Sequence, residues 1–79
     1  MNIGEAVEHM KEGRKVSRDG WNGKGMYLWL CDVNSNWTDK DGNIYKRSPY
    51  VYMKAADDTV VPWLASQTDL LATDWRVLV

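Results

Sequence analysis

The fold turns on the stretch Met26-Tyr27-Leu28-Trp29-Leu30-Cys31-Asp32. Alternation puts Met26, Leu28 and Leu30 on one face of a strand and Tyr27, Trp29 and Cys31 on the other. Both faces are apolar, so this strand has to be covered on both sides. Upstream, Ile3, Ala6, Val7 and Met10 recur at helical spacing and form one stripe of a short amphipathic helix over residues 3–12. Asn2 with Glu5 has the form of a capping box, and Gly13 stands where such a helix stops. That helix can cover one face of the strand; the other needs a second subunit or a ligand.

Outside these two elements the pattern is of short strands. Lys15-Val16-Ser17-Arg18 precedes the loop Trp21-Asn22-Gly23-Lys24-Gly25. Residues 32–43 read as a polar, turn-rich segment ending in an Asp41-Gly42 hairpin turn. A calcium-loop register fails there: with Gly42 sixth, Trp37 falls at the first position and Ser48 at the twelfth, where acids are required. Ile44–Lys46 and Tyr50–Lys54 read as strands around Ser48-Pro49, and residues 56–59 turn the chain into Val60-Val61, which Pro62 ends. Ser66 with Asp69, or Thr68 alone, can cap a helix of one or two turns with Leu70-Leu71 as its buried side, and residues 74–79 form the last strand. The fold class is α+β in a single domain spanning residues 1–79, with one main helix, four to six strands and a small second helix before the last strand.

Seventy-nine residues supply a core worth only about 3–5 kcal/mol, and chains this short generally add disulfides, a metal or a partner copy. Cys31 is the sole cysteine, and Cys31 with His9 falls short of a structural zinc set, so no metal or cofactor is expected and self-association is the remaining supplement. Cys31 reads as a small buried filler and His9, off the apolar stripe, as an exposed side chain. Five Trp and four Tyr stand beside no Phe, so every aromatic ring carries a polar handle, suited to pocket walls and subunit interfaces. Trp29 and Trp75 lie within strand patterns and read as core or interface.

Ten Lys and Arg against eleven Asp and Glu leave a formal charge of −1, which argues against a binder of duplex nucleic acid. Lys11, Arg14, Lys15, Arg18 and Lys24 nevertheless cluster against only Glu12 and Asp19, as a solvated face or as phosphate partners. No apolar run suits a membrane span or a signal peptide, so the chain reads as soluble and cytosolic.

A nucleophile, base and orienting group are not assembled by any motif, which argues against an enzyme and leaves no catalytic residue to name. Binding is better provided for. Trp21 heads the glycine-rich loop, which is either a plain turn or a backbone cradle for an anion. Trp63 heads Ser66-Gln67-Thr68-Asp69, whose hydroxyl, amide and carboxylate groups suit either helix capping or ribose and base edges. An indole stacks on a base for about 1–3 kcal/mol.

Three segments carry a resemblance: Met1-Asn-Ile-Gly-Glu-Ala-Val7, Arg18-Asp-Gly-Trp-Asn-Gly-Lys-Gly-Met26, and the stretch from Asp58 through Val-Pro-Trp-Leu-Ala-Ser-Gln-Thr-Asp to Trp75. They are similar to the second Thoeris anti-defence family of small phage and prophage proteins, over nearly the whole chain outside residues 32–48. The resemblance implies a helix on an antiparallel sheet, assembled as a homotetramer with nucleotide pockets between subunits. It implies a counter-defence sponge in the cytoplasm of the infected bacterial host, which binds a cyclic ADP-ribose isomer without altering it. Ligand-binding roles carry over to Trp21, Asn22 and Tyr27 in the first motif and to Trp63, Ser66, Gln67 and Asp69 in the second. The chain departs from the family in residues 32–48, where many relatives carry a longer insertion, and at Asp58, where glycine is expected in a turn. The alternatives are a sponge for other cyclic di- or oligonucleotides and an aromatic-rich module for protein or single-stranded nucleic acid.

Overall fold

The computed structural model describes residues 1–21, 24–32 and 36–78. Helix α1 (Ile3–Lys11) starts at a complete capping box: the Glu5 amide donates to Asn2 Oδ1 at 2.9 Å and the Asn2 amide to Glu5 Oε1 at 3.0 Å. It ends in a Schellman motif, with Gly13 N–H on the Met10 carbonyl and Arg14 N–H on that of His9. This termination requires a left-handed residue at Gly13, whose φ is +88°.

The strands are β1 (Lys15–Arg18), β2 (Tyr27–Cys31), β3 (Asn36–Thr38), β4 (Ile44–Lys46), β5 (Tyr50–Lys54), β6 (Val60–Pro62) and β7 (Trp75–Leu78), with helix α2 (Gln67–Leu71) before the last. Five of them form an antiparallel sheet in the order β6-β5-β2-β1-β7, while β3 and β4 pair apart as a hairpin. The architecture is the expected α+β arrangement. The count exceeds the expected four to six because β3 lies in the segment read as turns: Asn36 and Thr38 flank the single apolar Trp37, which leaves no alternation to detect.

Paired residues share a face. Val16 aligns with Leu28 and Val77, Leu28 with Met53, and Arg18 with Trp75. On this face lies the core of Ala6, Met10, Val16, Leu28 and Trp75, closed by Ile3, Val7, Trp21 and Trp63. The opposite face carries Tyr27 and Trp29 beside Lys15, Tyr52 and Lys54. No helix of the chain's described residues crosses it, and Trp29 is 37% exposed there, so Trp29 is no part of the core within this chain. Trp75, by contrast, is 2% exposed.

Three more expectations change. Leu70 and Leu71 are 41% and 78% exposed rather than buried. Helix α2 is little more than one turn, and its inward position is taken by Asp69; at about 100° per residue Leu71 then swings to the far side. His9 is half-buried and accepts a hydrogen bond from Arg14 at Nδ1, 3.0 Å away, because the Schellman turn folds Arg14 back over it. Cys31 is half-buried on the open face, opposite Tyr50. Asp58 has a φ of +67°, the left-handed geometry that explains the expectation of glycine at that turn.

Candidate functional site

Arg18 ends β1 two residues beyond Val16, so its side chain points to the helix-covered face, where a cation needs partners. Two carboxylates supply them. Arg18 Nε donates to Asp74 Oδ1 at 2.7 Å and Nη1 to Asp69 Oδ1 at 2.8 Å, with the Arg18 and Asp69 side chains only 14% and 16% exposed. The Gly20 amide donates to Asp74 Oδ2 at 2.8 Å. Trp21 Nε1 reaches the same Asp69 oxygen at 3.2 Å, and its amide closes a turn on the Arg18 carbonyl.

The electrostatics follow the contacts. Hydrogen bonds that Arg18 donates to Asp74 and then to Asp69 raise its pKa above the ordinary value. At Asp69, burial pushes the pKa up, but the Arg18 and Trp21 hydrogen bonds, Ser66 and the Arg18 charge outweigh it and hold the carboxyl below the usual range. Asp74 is lowered chiefly by its Arg18 hydrogen bond, against burial and with help from Gly20. One cation against two anions leaves this cluster with a net −1, so Arg18 is spent and offers little to an external anion.

Beside it opens a cavity of about 480 Å³ between the loop after β1 and the ends of β1 and β7. Trp21 and Met26 supply apolar wall, Ser17 lies at the β1 side, and Lys24 and Arg76 bring positive charge. Lys24 has no ion-pair partner among the described residues, and Arg76 meets only the exposed Asp19, at 3.0 Å. Lys54 braces the loop from β5: Nζ donates to the Gly25 carbonyl at 3.1 Å and pairs with Asp58 at 2.6 Å. Gly25 has a φ of +79°, so the loop turns there through a conformation that suits glycine. An apolar hollow of about 370 Å³ lies on the open sheet face against Trp29, Cys31 and Tyr52.

The expected site residues fall into three places. Trp21 lines the cavity. Trp63 and Trp21 both stand edge-on to buried Trp75, at ring separations of 6.0 and 5.4 Å, with Asp69 adjoining through Trp21. Ser66 caps α2 by accepting the Asp69 amide at 3.1 Å, and Gln67 is the exposed first residue of that helix. Tyr27 lies on the open face with Lys15 Nζ 4.7 Å from its ring centre and Lys54 Nζ at 5.9 Å. Asn22 falls outside the described residues. Thus Trp21, Trp63, Ser66 and Asp69 belong to one connected group, and Tyr27 does not.

The profile described as "Thoeris anti-defense 2-like domain" matches residues 1–78. "Thoeris anti-defense 2" from Bacillus phage SP01 is 38% identical over 84 residues, which span 99% of this chain and 94% of that protein. The chain belongs to the Thoeris anti-defense 2 family. Membership supports an anti-Thoeris role for a phage protein. A shorter likeness, 41% over 51 residues, links 65% of the chain to 18% of Spindlin-2 from Bos taurus, too little of that protein to carry a family assignment.

For this family member, reading the sequence missed Asp74, Ser17 and Arg76 as candidate site residues, and it placed Arg18 only in a basic run, as a solvated or phosphate-facing cation, without its carboxylate partners. The signal for Arg18 was available: a strand arginine in phase with buried Val16 must find a carboxylate. Among the described residues no three His, Cys, Asp or Glu side chains gather as a metal site, and no helix is long and apolar enough to cross a membrane.

Proposed function

We propose that this protein is a counter-defence sponge that binds a cyclic ADP-ribose isomer in the host cytoplasm and withholds it, unaltered, from its effector. The observation that carries the reading is the Trp21-walled cavity with Lys24 and Arg76 at its edge, in a chain of this family. An indole wall suits an adenine face, and a lysine and an arginine suit a pyrophosphate. Arg18 and Asp19 also line the cavity, but Arg18 is held by two carboxylates and Asp19 by Arg76, which leaves Lys24 as the lining cation without an ion-pair partner among the described residues. Ser66 and Gln67, at the exposed start of α2, suit ribose hydroxyls.

Self-association belongs to the same reading, with a homotetramer as the assembly. The open face bearing Tyr27, Trp29 and Tyr52 is the surface left for another copy, and a small five-residue core benefits from that cover. Tyr27 takes part in binding through that assembly. A sponge works stoichiometrically and needs nanomolar affinity, about −12 kcal/mol, which a preformed cyclic ligand helps to reach by losing little freedom.

The test is retention. The protein is mixed with cyclic ADP-ribose isomers, filtered, heat-denatured and the released nucleotide analysed. Depletion from the filtrate with recovery of intact ligand supports the sponge. Breakdown products would make the protein an enzyme, and depletion of cyclic dinucleotides alone would move the assignment to that class.

A further inference from the structure

We infer that Asp69 is a positioning residue, which sets the Trp21 ring as the cavity wall through a carboxylate held by Arg18 and makes no contact with ligand itself. The inference rests on the sponge reading for its binding consequence, but its geometry stands alone. Oδ1, the backbone carbonyl and the amide of Asp69 are each engaged inside the protein. Oδ1 accepts both Arg18 Nη1 and Trp21 Nε1, the backbone carbonyl accepts Trp75 Nε1 at 3.1 Å, and the amide donates to Ser66 Oγ. Asp69 is absent from the cavity lining, whereas Trp21 is part of it.

The arrangement works as a bracket. Arg18 is a planar fork whose two sides meet carboxylates five positions apart, Asp69 on α2 and Asp74 just before β7. Asp74 also takes the Gly20 amide, and the Trp21 amide returns to the Arg18 carbonyl, so the turn from 18 to 21 is fixed along its backbone. Asp69 then fixes the far edge of the indole. A hydrogen bond to a carboxylate is stronger than one to a neutral acceptor, so neutralising Asp69 loosens Trp21 first. The lowered pKa of Asp69 agrees with an oxygen that holds donors. Trp75 shares the residue but not the carboxylate, which makes its indole an internal control.

The experiment follows the indole N–H signals of ¹⁵N-labelled protein, with Trp21 and Trp75 assigned by Trp21→Phe and Trp75→Phe. In Asp69→Asn, the Trp21 signal moves upfield while the Trp75 signal stays, and retention of cyclic ADP-ribose falls about tenfold with the assembly mass unchanged. An unmoved Trp21 signal overturns the inference, as does a joint shift of both indoles, which would mean that α2 itself has moved. Should Asp69→Asn fail to fold, acid titration of the wild type decides: Trp21 alone responds as Asp69 protonates, and equal response of both indoles sinks the idea. A wild type that retains no cyclic ADP-ribose defeats the sponge reading but leaves the indole result to judge the bracket.

Discussion

The Trp21 indole meets the Trp75 indole edge-on, with ring centroids 5.4 Å apart and planes 80° from parallel. One ring is core and the other is cavity wall, so the core and the cavity share a contact. Edge-to-face pairs of this kind are worth about 0.5–1.5 kcal/mol beyond the area they bury.

Trp75→Ala should therefore cost more than a single contact. It empties the largest side chain of the core, removes the support of Trp21 and Trp63, and takes the indole donor from the Asp69 carbonyl. The expected loss is about 3–5 kcal/mol, read from urea unfolding. Trp75→Phe should cost less than half of that; equal losses would mean that the ring contributes no packing.

Gly20→Ala tests the turn. A Cβ there would sit 2.9 Å from Asp74 Oδ2 and 3.2 Å from an Arg18 nitrogen. Both atoms are engaged in the ion pair, so neither yields freely. Destabilisation by about 1–3 kcal/mol is expected, together with weaker ligand retention. An unchanged thermal midpoint would show that the pair is slack.

Acid should weaken the fold through the same carboxylates. Asp69 and Asp74 have folded-state pKa values below the ordinary 3.8, so their stabilisation is complete above that value and is lost as pH falls through the lowered ones. The melting temperature should change little between about pH 7 and 5 on this account and drop below about pH 4. Asp74→Asn should flatten that drop, at the expense of lower stability at neutral pH; an unaltered acid slope would remove Asp74 from the account.

Asp58→Gly should stabilise. The residue holds a φ of +67°, and its ion pair with Lys54 is made by an exposed carboxylate, which contributes little. Relief of the left-handed geometry, partly offset by the entropy of glycine in the unfolded chain, leaves a gain of about 0.5 kcal/mol. A decrease in the urea midpoint would show that the Lys54 pair matters more than the backbone.

Much of this fold was legible because its signals are local. Asn2, Glu5 and Gly13 delimit α1 by hydrogen bonds within a few residues, and alternation from Met26 to Cys31 sorts β2 into two apolar faces without saying which of them the helix covers. Strand β3 was not legible, because Trp37 alone carries no period. The exposure of Leu71 was hidden for a different reason: the phase of a one-turn helix is set by what Asp69 reaches, and Arg18 is 51 positions away. The site divides along the same line. Trp21 stands out as an aromatic beside a glycine loop, while Arg18 looked like part of a basic run until Asp69 and Asp74 were beside it.

The pairing of β1 with β7 bears on when this protein comes into being. Lys15 aligns with Leu78, and the Arg18–Asp74 bond joins residues 56 positions apart. A ribosome must therefore have delivered nearly all of the segment before the cavity has its second wall. Contacts so remote in sequence slow folding. A chain that stops short of β7 holds no half-built cavity.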